Sequence, residues 1–202
     1  NCAGRSYILG KILQKKYDVE IVGPLWGEKV WEPISKDKSI RYRYIKFSNI
    51  PWFNIKNWFN LYRLLDNDLI YVNKPFLNNL GLAIIKKILC NKKIVLDIDD
   101  WEIGFLYYNF QKLNIIKKIH YIFSSIYNPL KPGGFINVFT GNLLIRFANK
   151  ITVSNKFLKN KFGGEIIVHA RNAKKFNPNR YNQKQLRKKM GFPLKNKIIL
   201  FL

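Results

Sequence analysis

Residues 68–102 read DLIYVNKPFLNNLGLAIIKKILCNKKIVLDIDDWE. Asp68-Leu-Ile-Tyr-Val72 and Lys93-Ile-Val-Leu-Asp97 are short and almost wholly apolar, the pattern of strands covered on both faces. Pro75 suits a first helical turn, so a helix is predicted from there through about Leu89. Strand, helix, strand in that order predicts a parallel pair joined by a crossover.

The same alternation continues outward. Tyr7, Ile8, Ile12 and Leu13 stand at helical spacing within residues 5–17, ahead of a short strand, Val19–Val22, ended by Gly23-Pro24. A long loop over 24–40 leads to Arg41–Phe47, which alternates at period two and reads as a strand with one wet face. Helices are predicted over 56–65, 111–127, 137–148, 155–162 and 183–190, and strands over 150–154, 165–169 and 197–202. The fold class is therefore α/β, Rossmann-like, with a mostly parallel sheet and helices on both faces. In such sheets ligands sit at the carboxyl ends of the strands.

Composition narrows the classes. The chain has 202 residues, of which 48% are hydrophobic and 15% aromatic, too apolar for a disordered chain. No apolar run reaches the ~18 residues of a membrane-spanning helix. Cys2 and Cys90 fit no metal or redox spacing and read as reduced thiols, which points to the cytoplasm. The net charge is +24 and lopsided: residues 103–202 hold a single acid, Glu165. Nucleic acid, an anionic membrane surface, a phosphorylated substrate and a merely solvated lysine surface all accommodate that charge. The helix over 111–127 mixes Lys112, Lys117 and Lys118 with six large apolar residues. It fits a core-facing helix with solvated lysines or a helix lying in a membrane interface.

Chemistry concentrates at the predicted strand ends. Asp97, Asp99, Asp100 and Glu102 place four carboxylates in six residues, in a chain otherwise short of acids. Such a group suits proton transfer, hydroxyl recognition or a divalent cation, and equally a turn with an Asp helix cap. Trp101 among them stacks on a sugar ring or fills the core. Gly4, read in a loop ahead of the first helix, allows a phosphate to approach backbone N–H groups there. His169 ends a strand and precedes Arg171; His120 lies within an apolar helix and reads as packed. Zinc, serine-nucleophile and P-loop patterns are missing.

The order of these pieces resembles the retaining glycosyltransferases of family 4. Ala3-Gly4-Arg5 before a helix, then Tyr17-Asp-Val-Glu-Ile-Val-Gly23-Pro24, is similar to the family's opening. Asp68–Pro75, Lys93–Asp100, Ile151–Asn155, Phe162–Gly164, Ile167–Asn172 and Phe176–Pro178 match its later landmarks in sequence. Where the family carries an active-site His, this chain has Asp99 followed by Asp100.

The resemblance implies a GT-B enzyme of two Rossmann-like domains. Residues 1–196 would be the amino-terminal, acceptor-side domain and 197–202 the first strand of the donor domain. A central strand would precede Asn1. The implied activity moves a sugar from a nucleotide sugar to a hydroxyl acceptor on a polysaccharide or lipid-linked glycan, with no cofactor and no metal. The fragment alone is expected to be inactive, and its location cytoplasmic, peripheral at the inner membrane face. Asp99 and Asp100 take the catalytic position. Gly4, Arg5, Trp101, His169, Arg171 and Asn172 are substrate-binding candidates. The competing reading is a basic nucleic-acid-binding module without catalysis, which has the charge but no recognised binding motif.

Overall fold

The computed structural model describes residues 3–48, 50–169 and 177–198, with the backbone alone for Pro33, Trp52 and Phe53. The chain divides into two compact units, 1–169 and 170–202. Arg171 and Asn172 lie outside the described residues, as does most of the strand expected over 197–202.

The first unit is α/β with only parallel strand pairs. Four strands, β3 (Leu69–Asn73), β4 (Lys93–Ile98), β5 (Lys150–Val153) and β6 (Glu165–Ile166), form one sheet in that order. Asn73 lies opposite Asp97, and Asp97 opposite Thr152. Two further strands, β1 (Glu20–Leu25) and β2 (Arg41–Lys46), pair separately. Period two sorts the β4 side chains. Ile94, Leu96 and Ile98 face one side and are fully buried with Ile70, Val72 and Val153. Leu80 and two helices complete that core: α4 (Leu82–Cys90) supplies Ala83 and Ile84, and α8 (Lys156–Phe162) supplies Leu158. Asp97 faces the other side, where Arg5 of α1 (Ala3–Leu13) reaches it. Helices thus cover both faces, as the alternation predicted.

Several boundaries differ from the expectation. α1 already includes Gly4, which lies in its first turn rather than in a loop before it. β1 runs through Gly23 and Pro24 instead of stopping there. Phe47 N donates to Leu25 O, so Leu25 turns its polar groups toward β2. By the alternation of the ladder, Pro24 faces the opposite, unpaired edge, where no N–H is needed. A short helix, α2 (Glu32–Lys36), interrupts the predicted long loop, and α3 (Pro51–Leu64) starts earlier than expected. The predicted helix over 111–127 is α6 (Ile115–Tyr127), which starts four residues late, and an unpredicted helix, α5 (Glu102–Gln111), precedes it. The Asn114 side chain accepts from Lys117 N at 2.9 Å and caps α6. α7 (Phe135–Leu143) follows, and β6 is two residues long rather than five.

A cavity of about 790 Å³ is lined by both β1 and β3, which belong to separate sheets. Its walls include both strands, Leu9 and Leu13 of α1, and Leu61 of α3. The cavity continues to Lys74 and Glu102 at the carboxyl ends of β3 and β4.

In the second unit α9 (Gln183–Lys189) is capped by Asn182, whose side chain accepts from Gln185 N at 3.1 Å. Arg187 Nη1 ties the following turn by donating to Pro193 O at 2.6 Å and Asn196 O at 2.7 Å.

Candidate functional site

The four clustered carboxylates separate into two groups with different work. Asp97 is fully buried within β4 and accepts from Arg5 Nε at 2.5 Å and Nη2 at 2.8 Å, a bidentate pair. Thr152 on β5 donates to Asp97 Oδ1 at 2.7 Å. With that proton so used, Tyr71 OH is the donor in its 2.8 Å contact with Thr152. Arg5 Nη2 also donates to Ile167 O at 2.9 Å. Arg5, expected to bind substrate, is therefore turned inward: it ties the start of α1 to β4 and to the segment after β6. The hydrogen bond to Asp97 outweighs burial and raises its pKa further.

The second group stands beyond the strand ends. Asp99, Asp100 and Glu102 bring carboxylate oxygens within 4.8 Å of one another, close enough to hold a cation. Lys74, the residue after β3, supplies a positive charge there. Its Nζ donates to Asp100 Oδ2 at 2.8 Å and to Glu102 Oε1, and lies 3.4 Å from Asp99 Oδ1. Burial works against the Lys74 ammonium, but hydrogen bonds to Asp100 and Glu102 and the Asp99 charge prevail, so its pKa is raised. The Lys74 backbone is left-handed, φ 69°. Its N–H donates to Asp97 O at 2.9 Å and its carbonyl accepts from Phe76 N at 2.9 Å, which fix the turn. A non-glycine residue in that region carries strain that its surroundings must hold.

Ser154 Oγ, past the end of β5, donates to the Asp99 carbonyl at 2.7 Å and fixes that residue's backbone. Asp99 Oδ1 is buried, and apart from the ion pair with Lys74 it has no hydrogen-bond partner among the described residues. Asn73 Oδ1, at the carboxyl end of β3, is likewise without one. Buried acceptors left unpaired cost about 1–3 kcal/mol each, so these positions favour a ligand that donates hydrogen bonds.

Trp101 is 36% exposed, packs edge-on to Phe157 at 5.7 Å, and has Lys161 Nζ 4.2 Å from its ring. A Cβ at Gly104 would come within 2.3 Å of the Trp101 ring, so only glycine lets the ring lie against α5. Of the other candidates, Gly4 sits in the first turn of α1 with its Cα side toward Trp31, and His169 is exposed beyond β6. His120, read as packed, is exposed on α6. The site thus gathers Asp99, Asp100 and Trp101, and adds Lys74 and Asn73, which the sequence reading passed over.

Two expectations arise from this geometry. Replacing Lys74 by Met leaves three carboxylates without their cation. Breaking a buried pair costs about 3–5 kcal/mol; half-exposed Asp100 reduces that to roughly 2 kcal/mol. Added Ca²⁺ should restore the melting temperature of Lys74→Met and leave the parent unchanged. Equal melting of variant and parent without Ca²⁺ would remove Lys74 from this role.

Alkaline pH gives the second. Burial raises the Tyr71 phenol to about 12. From about pH 10 the unfolded chain loses this proton while the folded chain keeps it, so stability falls as pH rises to about 12. The raised Lys74 pKa acts in the same direction above about pH 10.4, because the unfolded chain deprotonates first. Thermal melts should show this decline above pH ~10, with a shallower slope for Tyr71→Phe.

No helix among the described residues is long and apolar enough to cross a membrane. No protein-family model matches the chain, and no curated protein does.

Proposed function

We propose that this chain is the acceptor-binding side of a retaining glycosyltransferase, which moves a sugar from a nucleotide sugar to a hydroxyl acceptor. The observation that carries the reading is the buried Asp99 Oδ1 at the rim of a parallel sheet, which meets the Lys74 charge but receives no hydrogen bond among the described residues, beside an exposed indole. Sugars and polyols offer what this rim lacks, a hydroxyl donor at a fixed oxygen and an apolar ring face for Trp101. In the transfer, the C1–O bond to the diphosphate breaks and a C1–O bond to the acceptor oxygen forms. Asp99 would accept the acceptor's O–H and aim its oxygen at C1. Lys74 holds Asp100 and Glu102 in place through its hydrogen bonds. Arg5 has a positioning role, since its donors are engaged by Asp97 and Ile167 O.

The reading is tested with the intact protein that carries this chain. It is incubated with UDP-, GDP- and ADP-sugars and a panel of glycan and lipid-linked acceptors. Acceptor-dependent release of nucleoside diphosphate, with retained anomeric configuration in the product, is expected. No release, together with submicromolar, sequence-tuned nucleic-acid affinity, would favour the binding-module reading instead, because non-specific charge binding reaches only about 10⁻⁴–10⁻⁶ M.

A further inference from the structure

α6 is an amphipathic helix turned inside out. Ile115, Ile116, Ile119, Ile122, Phe123 and Ile126 are all exposed, Ile116 by 74% and Phe123 by 65%. At 3.6 residues per turn they fill one continuous arc of about 120°. Ser125 and Tyr121 face the protein instead. Ser125 is buried and accepts from Ile136 N of α7 at 2.9 Å, while Tyr121 OH donates to Gly133 O at 2.5 Å. Ordinary surface helices point the apolar stripe inward. A contiguous exposed stripe of this kind marks a surface that meets another apolar phase.

The charge around it indicates which phase. No acidic residue occurs between Glu102 and Glu165. Cations stand at and just after the α5–α6 turn: Lys112 Nζ lies 3.9 Å from the Tyr108 ring centroid, and in the first turn of α6 Lys118 Nζ lies 5.5 Å from that of Phe110 and Lys117 is exposed. α5 exposes Phe105 and Tyr108 as well. Nucleic acid would engage the lysines but offers nothing to six large apolar side chains. A lipid surface takes both, headgroups for the ammonium groups and acyl chains for the isoleucines.

We infer that α6, with Lys112 and Lys118, is a docking face for an anionic membrane surface. The helix lies in the interface plane, its isoleucine arc in the acyl boundary and Lys112 and Lys118, which flank that arc, at the phosphates. This inference is independent of the sugar-transfer reading, since it concerns neither Asp99 nor the strand-end rim.

The test is flotation of the protein with phosphatidylcholine vesicles with and without phosphatidylglycerol, at low and at physiological salt. Binding is expected only to the anionic vesicles, weakening as salt rises. Lys112→Gln and Lys118→Gln should each reduce affinity about fivefold, the equivalent of ~1 kcal/mol, and the double variant by roughly twenty-fivefold. Ile116→Ser with Phe123→Ser should abolish the binding that survives physiological salt. Both positions are exposed, and circular dichroism checks that the fold is kept. No binding to anionic vesicles at low salt overturns the inference. So does binding that the α6 variants leave unchanged. Self-association in sedimentation that Ile116→Ser abolishes would assign the face to a second copy of the chain instead.

Discussion

Asp97→Ala is expected to destabilise the first unit by about 3–5 kcal/mol, the largest loss of any single change considered, because it leaves a buried guanidinium unpaired. Arg5 and Asp97 expose 5% and 0% of their side chains, so solvent cannot take over the missing partner. The loss spreads through the contacts the pair organises: Thr152 loses its acceptor and the tie from α1 to β4 is cut. For a domain of this size that corresponds to a fall in melting temperature of roughly 6–20 °C. Total stabilities are only ~5–15 kcal/mol, so failure to fold is within the expected range. Arg5→Met removes the charge from the other side and leaves Asp97 with the Thr152 hydroxyl alone. Arg5→Met combined with Asp97→Leu should cost less than Asp97→Ala, since an apolar pair replaces a desolvated one. A double-mutant cycle by thermal melts reads the coupling. Melting of Asp97→Ala within about 1 °C of the parent would show that the pair contributes nothing net.

The strands were legible in the sequence where burial on both faces left a plain apolar run. β3, β4 and β5 appear within a residue or so of their predicted limits, because Ile70, Val72, Ile94, Leu96 and Val153 have no polar alternative. β1 was cut short at Gly23-Pro24, since a proline reads as a strand end unless its missing N–H is known to face an unpaired edge. α5 was missed for a different reason. Its sequence, Glu102-Ile-Gly-Phe-Leu-Tyr-Tyr-Asn-Phe-Gln111, has no fully buried residue, so it carries no inward stripe to detect. α6 had a clear stripe whose direction no periodicity can give: the spacing fixes a face, and only packing decides whether it turns in or out.

The candidate site was half legible. Local excess of acid identified Asp99 and Asp100, and their position after a strand placed them at the rim. The same excess drew in Asp97, whose partners are Arg5 and Thr152, 92 and 55 residues away in the chain. Lys74 was invisible as one lysine among many. Nothing in the sequence announces the left-handed turn that brings its ammonium over to the β4 end.

The most direct measurement of the central claim is acceptor-dependent turnover of the intact protein carrying Asp99→Asn, with its melting temperature recorded alongside. The substitution keeps the volume and the Ser154 hydrogen bond to the Asp99 carbonyl, so the fold should melt within a few degrees of the parent. Replacing the carboxylate by an amide removes its charge and its capacity to receive a proton. Turnover should then fall by about 10²-fold or more, the usual worth of a positioned acid or base. Asp100→Asn should cost less, because its Oδ2 is engaged by Lys74 and its side chain is half exposed. Parent-level turnover from Asp99→Asn and Asp100→Asn alike would contradict the account and remove the rim carboxylates from the reaction.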